Sequence, residues 1–407
     1  MVSKKDAINN LKNVKLIIGN GFDLHCGLKS SYSDYFEAPS NKDKFDDIIH
    51  WLNSLEGKKN ISFDEASKAV GNFFVEKKLK KTSLWDLFFA MDRNKSRAWN
   101  DVESLISASL IRNYENVNRP SSVAYWDDVQ KIIAGNLYSP QPVHSMILAA
   151  FMIKKAGGDT ESLKGDRFYF FLKNELSKFE NDFGQYISNQ VCFPNSFFNH
   201  LNRFFVAYVS KTLGEICNLD NVVSLDTFNF TPCMDFKEFD KIKDKVRYVN
   251  GNWASPIFGI DSSTYPSSDV RNIFSKTYRR MELDMILDES APTPDFSNAI
   301  VFGHSLSSND YSYFFPLLDK LNMTDFASNS KIIFDYSVYD KEKEVSIRQD
   351  YCHAIYKLFE AYAISKGMSE EPGRLLDGLT TQGRVLINEV EDIPAARQIG
   401  YLSPFGD

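Results

Sequence analysis

The chain has 407 residues, a net charge of −7 and 14% aromatic residues, 33 of them Phe. That length calls for two or three structural units around at least one large core. No run of ~18 apolar residues could span a bilayer, and the opening MVSKKDAINN lacks the apolar stretch of a secretory signal, so a cytoplasmic protein without membrane contact is expected. Basic residues are scattered among acids, and the densest run, KKLKK at 77–81, reads as a solvated helix end; nucleic acid is therefore not an expected partner. The cysteines (Cys26, Cys192, Cys217, Cys233 and Cys352) form no C-x-x-C pair and the histidines no H-E-x-x-H pattern, so no metal is predicted.

In chain order, the first element is the most informative. Val14, Leu16, Ile17 and Ile18 suit a buried parallel strand, which stops abruptly at Gly19-Asn20-Gly21. Two glycines separated by one residue permit a tight turn that exposes backbone N–H groups at a helix start, where phosphate oxygens bind. The full dinucleotide fingerprint wants a third glycine at the position of Leu24, and Gly27 comes too late to replace it. Asp23 directly after the turn would repel a phosphate. It suits a ribose contact, an oriented water or a helix cap.

A helical stretch of about two hundred residues follows. Ser62 and Glu65 spell a capping box ahead of Phe63, Ala66, Val70, Phe73 and Phe74 at helical spacing. Trp99, Val102, Ile106 and Leu110 form one stripe, with Glu103 on it; Leu172, Leu176, Phe179 and Phe183 form another, with Glu175 on it and Glu180 at its edge. A carboxylate on an apolar face must be paired, protonated or pointed into a wet cavity. These acids are either satisfied structural pairs or the floor of a site. Residues 112–145 read as loops and 155–166 as a flexible connector.

From residue 221 the pattern changes to short β-rich runs at 221–230, 245–251, 257–261, 298–307 and 331–338, with helices at 309–322 and 341–366. Strand, helical excursion and further strands predict an α/β parallel sheet flanked by helices and interrupted by a large helical insertion. The expected division is 1–60 plus 215–366 for the sheet domain and 61–214 for the insertion, with a loosely docked tail at 367–407.

Several strand ends carry polar groups. Thr227 and Asn229, in SLDTFNFT, alternate and so share a strand face. An amide there suits a ribose hydroxyl or an attacking water, or merely closes a turn. Asn250-Gly251 after KVRYV is a common turn dipeptide. VFGHSLSSND repeats the first motif, placing Gly303, His304 and Ser305 at the sheet edge; it fails the G-x-S-x-G elbow of serine hydrolases because Ser307 stands at the second glycine.

Together, IGNGFDLHCGLKSSYSDYF, the Trp99/Glu103 pair, FNFT and VFGHSLSSNDYSYF resemble the AbiH bacteriophage abortive-infection family, over most of the chain up to about 365. The motif order is also remotely similar to the sirtuin-like (Rossmann-like) NAD-binding domain. That resemblance implies a diphosphate loop at Gly19, Asn20, Gly21 and Phe22, and Asn229 beside the nicotinamide ribose with Thr227 near it. It further implies an adenosine contact at Gly303-His304-Ser305. Sirtuin-like enzymes carry His-Gly where this chain has Asn250-Gly251, and an amide cannot act as a general base. Asp23, His304 or His25 would have to substitute. The implied function is an anti-phage effector that binds and hydrolyses NAD⁺ on infection, with Asn229, Asp23 and His304 catalytic. Triggering by a phage-derived component or partner protein and homo-oligomeric assembly are expected from that logic. The competing readings are a non-catalytic NAD sensor and a metal-dependent nuclease using Glu103, Glu175 and Glu180.

Overall fold

The structure is a computed structural model and describes residues 10–26, 28–56, 61–76, 82–93, 102–110, 126–135, 143–191, 216–231, 245–287, 294–338 and 341–390. Trp99, Cys192, Cys233 and the 77–81 run lie outside the described residues, as does much of 112–145. By its internal contacts the chain divides into one unit made of residues 1–30, 184–256 and 280–407, and a second made of 31–183 and 257–279. The helical unit thus begins before residue 61 and takes a second segment from beyond 214.

The first unit is built on β1 (Val14–Ile18), β2 (Val222–Thr227), β3 (Val246–Tyr248), β4 (Asn298–Phe302), β5 (Lys331–Tyr336) and β6 (Val385–Glu389). They pair in the order β3-β2-β1-β4-β5-β6, and every pair is parallel. This is the doubly wound order, in which the strand sequence reverses direction between β1 and β4. Open parallel sheets bind ligands outside the carboxyl ends of the strands at such a reversal.

Alternation along β1 splits its side chains between two cores. Val14, Leu16 and Ile18 join Phe22, Val222, Leu225, Ile300, Phe302 and Ile333 on one face. Ile17 joins Val301, Phe334 and the helices Tyr311–Lys320, Glu344–Ser365 and Gly373–Thr381 on the other. Lys15 also faces the second side, where its ammonium pairs with Asp226 of β2 at 2.9 Å. Asp226 also accepts from Arg247 of β3, and from the Tyr313 hydroxyl at 2.6 Å. One buried carboxylate thereby ties three strands to a helix.

Two expectations are corrected. Residues 257–261 form no strand: Ile260 makes only an isolated bridge to Ser275, and Asp261 turns the chain at once by accepting from the Ser263 N–H at 2.8 Å. Nor is the tail after 367 loose over its described part, because β6 pairs with β5 from Ile332↔Val385 to Tyr336↔Glu389. Arg384 anchors the entry to that strand, its guanidinium donating to the carbonyls of Ser330, Asp325 and Asn322 at 2.7–3.0 Å.

In the second unit, the Ser62/Glu65 capping box forms as read: Ser62 Oγ accepts from the Glu65 N–H at 3.2 Å and Glu65 Oε2 from the Ser62 N–H at 2.9 Å. Its core is aromatic. Phe179, on the helix Asp166–Val191, meets Tyr35, Phe36, Phe89 and Phe258 with ring centroids 4.9–6.3 Å apart. The acids on apolar faces are ion-paired. Glu103 accepts from Lys276 at 2.8 Å, and Glu175 from the Leu84 N–H at 2.8 Å and from Lys178. Glu180 takes a forked pair from Arg279 and the Phe258 N–H at 2.7 Å. Each carboxylate has its own separate partners, which is the structural alternative of the two weighed from the sequence. No group of three or more metal-ligating side chains occurs among the described residues.

Candidate functional site

At the carboxyl edge of the sheet, the chain leaving β1 turns through Gly19-Asn20-Gly21 into the short helix Asn20–His25. Both glycines are required by contact with the turn after β4. A Cβ on Gly21 would sit 2.7 Å from the Gly303 carbonyl oxygen, and one on Gly19 would sit 2.7 Å from His304 Cα. The two turns are also hydrogen-bonded: Gly19 N–H donates to Phe302 O at 2.9 Å and Gly21 N–H to Gly303 O at 2.8 Å, while Phe22 N–H closes back on Gly19 O at 2.9 Å. The N–H groups expected to face a phosphate are thus mostly used within the protein. Gly21→Ala is expected to lower stability by about 2 kcal/mol, because the Gly303 backbone leaves the methyl no room; a thermal melt checks this.

Phe22 is fully buried and packs edge-on against Phe302 at 5.8 Å, so its ring belongs to the core. Asn20 is exposed, its Oδ1 accepting from Ser30 Oγ at 2.6 Å, and Ser305 is exposed. His304 is buried, with its ring 4.3 Å from that of Phe228. Its Nδ1 accepts from the Leu306 N–H at 2.9 Å and its Nε2 lies 3.5 Å from Asp310 Oδ2. An Nδ1 that accepts carries no proton, which fixes the tautomer and engages both nitrogens. His304 holds a turn in which Gly303 and Leu306 both have positive φ, 67° and 54°. These contacts tie His304 into its own turn. His25 is buried beside Phe302, ring centroids 5.5 Å apart.

The chemistry converges on Asp23, which is 1% exposed. Its Oδ1 accepts from Asn229 Nδ2 at 2.9 Å and from Thr231 Oγ1 at 3.3 Å. These bonds span more than 200 residues of sequence and bring the turn after β1 against the end of β2. Thr227 positions the amide, its Oγ1 accepting from the Asn229 N–H at 3.0 Å. Burial, only partly offset by the Thr231 and Asn229 hydrogen bonds, pushes the Asp23 carboxyl up to about 7. Asp23 Oδ2 and Asn229 Oδ1 are buried without a hydrogen-bond partner among the described residues, and so is Oδ1 of Asn250. Asn229 and Asn250 each follow by two residues the last paired positions of β2 and β3, Thr227 and Tyr248. Buried polar atoms are ordinarily hydrogen-bonded, and the carboxyl edge is where open parallel sheets bind ligands. Sequence reasoning singled out Asp23, Asn229 and Asn250; it missed Thr231, whose only sequence signal was its place two residues after Asn229.

The model of the bacteriophage abortive infection AbiH family matches residues 16–331. The chain belongs to this family. It is therefore an abortive-infection anti-phage protein, and the match takes in Asp23, Asn229, Thr231, Asn250 and His304. No curated protein matches it, and no solved structure does. An open cleft of about 770 Å³ on this AbiH protein lies at the opposite, amino-terminal edge of the sheet, beside Asn13, Ser297 and Ser330, away from the orphaned atoms. No described helix is long and apolar enough to cross a membrane.

Proposed function

We propose that this AbiH protein binds NAD⁺ at the carboxyl edge of its sheet and hydrolyses the bond between nicotinamide and ribose, with Asp23 as the general base. The observation that carries the reading is the buried Asp23–Asn229 pair at the carboxyl ends of β1 and β2, each with an oxygen left over for a ligand. In hydrolysis, the C–N bond to the pyridinium breaks and nicotinamide leaves with the electron pair. Water attacks the ribose carbon as positive charge develops on the sugar, and Asp23 takes the water proton. A carboxyl near 7 suits a base working at neutral pH. Asn229 orients the carboxylate through its NH₂ and offers its carbonyl to the sugar or the water. Depletion of NAD⁺ would stop the host before phage release, so the activity is held off until a phage-derived trigger or self-assembly releases it.

Purified protein incubated with NAD⁺ is expected to yield nicotinamide and ADP-ribose. The rate should rise with pH through a midpoint near 7, because Asp23 acts in its ionised form; a rate that falls across that range contradicts the assignment. Asn250, an amide where sirtuin-like enzymes carry a histidine, favours one alternative: a sensor that binds the nucleotide and controls a partner. The same incubation separates the two, since a sensor shows saturable binding and no product.

A further inference from the structure

On the reading that a ribosylated ligand occupies this edge, we propose that its minimum recognised unit is the riboside. The sugar hydroxyls and the attacking water would donate to Asp23, Asn229 and Asn250, and the Gly19–Gly21 turn would carry no diphosphate. The three orphaned atoms are all oxygens: Asp23 Oδ2, Asn229 Oδ1 and Asn250 Oδ1. The orientation of Asn229 is fixed, because its Nδ2 is spent on Asp23. Buried acceptors call for donors; a vicinal diol supplies two for the three oxygens, and the attacking water supplies the third. A phosphate at neutral pH brings only acceptors and negative charge, and beside an ionised Asp23 it would be repelled. A pyridinium on the same sugar is attracted.

The turn itself points the same way. Phosphate-binding glycine turns leave N–H groups free and space for oxygens. Here the N–H groups of Gly19, Gly21 and Phe22 are donated to Phe302 O, Gly303 O and Gly19 O. The space over Gly21 is filled by Gly303, whose Cα lies 2.8 Å from where a Cβ would be. The glycines serve a joint between the β1 and β4 turns, and any diphosphate lies away from it and adds little to binding.

Calorimetry on the full chain, first in EDTA and then in excess Mg²⁺, tests this with nicotinamide riboside, nicotinamide mononucleotide, NAD⁺ and the 2′-deoxy form of the riboside. The expected dissociation constants of the first three agree within about tenfold, and loss of the 2′-hydroxyl weakens binding by about tenfold or more. Asn250→Ala should weaken all three by a similar factor. NAD⁺ bound more than about tenfold tighter than the riboside overturns the inference and leaves the proposed function standing. So does binding that needs Mg²⁺, which would make the three oxygens cation ligands. Equal affinity for the 2′-deoxy riboside overturns it too. No binding of any of the first three in either buffer overturns the proposed function and the inference together.

Discussion

Asp23→Asn is expected to lower NAD⁺ hydrolysis by ~10²–10⁴-fold while raising stability above pH 7. The substitution keeps shape and hydrogen-bonding capacity, so the fold stays, but an amide takes no proton from water. The stability change follows from the raised carboxyl. In the unfolded chain Asp23 ionises near the ordinary aspartate value of 3.8; in the folded chain it holds its proton to about 7. Between those values the native state binds one proton more than the unfolded state, so stability falls as pH rises and levels off above the folded value. The integrated cost at pH 8 is about 4 kcal/mol relative to pH 3. Denaturant melts of wild type and Asp23→Asn should therefore diverge from pH 4 to pH 7, with the variant the more stable at pH 8. A group that costs stability when ionised and makes no ion pair among the described residues fits a binding or catalytic role.

The second large effect is structural. Asp226→Ala should destabilise the sheet unit by about 3–5 kcal/mol, because it leaves the Lys15 ammonium uncompensated among apolar neighbours. Burial alone would raise the Asp226 carboxyl, yet Lys15, Arg247 and the Tyr313 hydroxyl together hold it below the usual aspartate range. Its contribution is full above about pH 4 and is lost as pH falls through the folded value. This is the opposite sense to Asp23, and it adds to acid sensitivity. Burial pulls Lys15 below the usual lysine range against the attraction of Asp226. Arg247 is 44% exposed and can turn to water once Asp226 is gone. The double variant Lys15→Met/Asp226→Met should accordingly recover most of the loss, which a pair of thermal melts would show.

Much of this was legible in the sequence because it is local. An apolar pentad ending in Gly-x-Gly places β1 and its turn, Ser62 with Glu65 places a helix start, and the alternation of Thr227 and Asn229 places two polar groups at the end of a strand. What the sequence could not reveal depends on partners far along the chain. The glycines at 19 and 21 look like a phosphate loop, yet they are small because Gly303 and His304 press against them. Glu103, Glu175 and Glu180 look like candidate catalytic acids until Lys276, Lys178 and Arg279 are seen to pair with them. His304 looks like a base, and Leu306 and Asp310 tie it into its own turn. VLINE at 385–389 is too short and mixed to announce a strand, and it becomes one because β5 offers a parallel edge and Arg384 fixes its start.

The claim on which the rest depends is that Asp23 is a buried, ligand-facing carboxyl. Carboxyl carbon NMR tests it most directly, with the Asp23 signal identified by its loss in Asp23→Asn and titrated with and without nicotinamide riboside. The expected result is a midpoint near 7 in the free protein, moved downward when hydroxyl donors of the ligand favour the carboxylate. A midpoint in the ordinary aspartate range, or one that the ligand leaves unmoved, would contradict it.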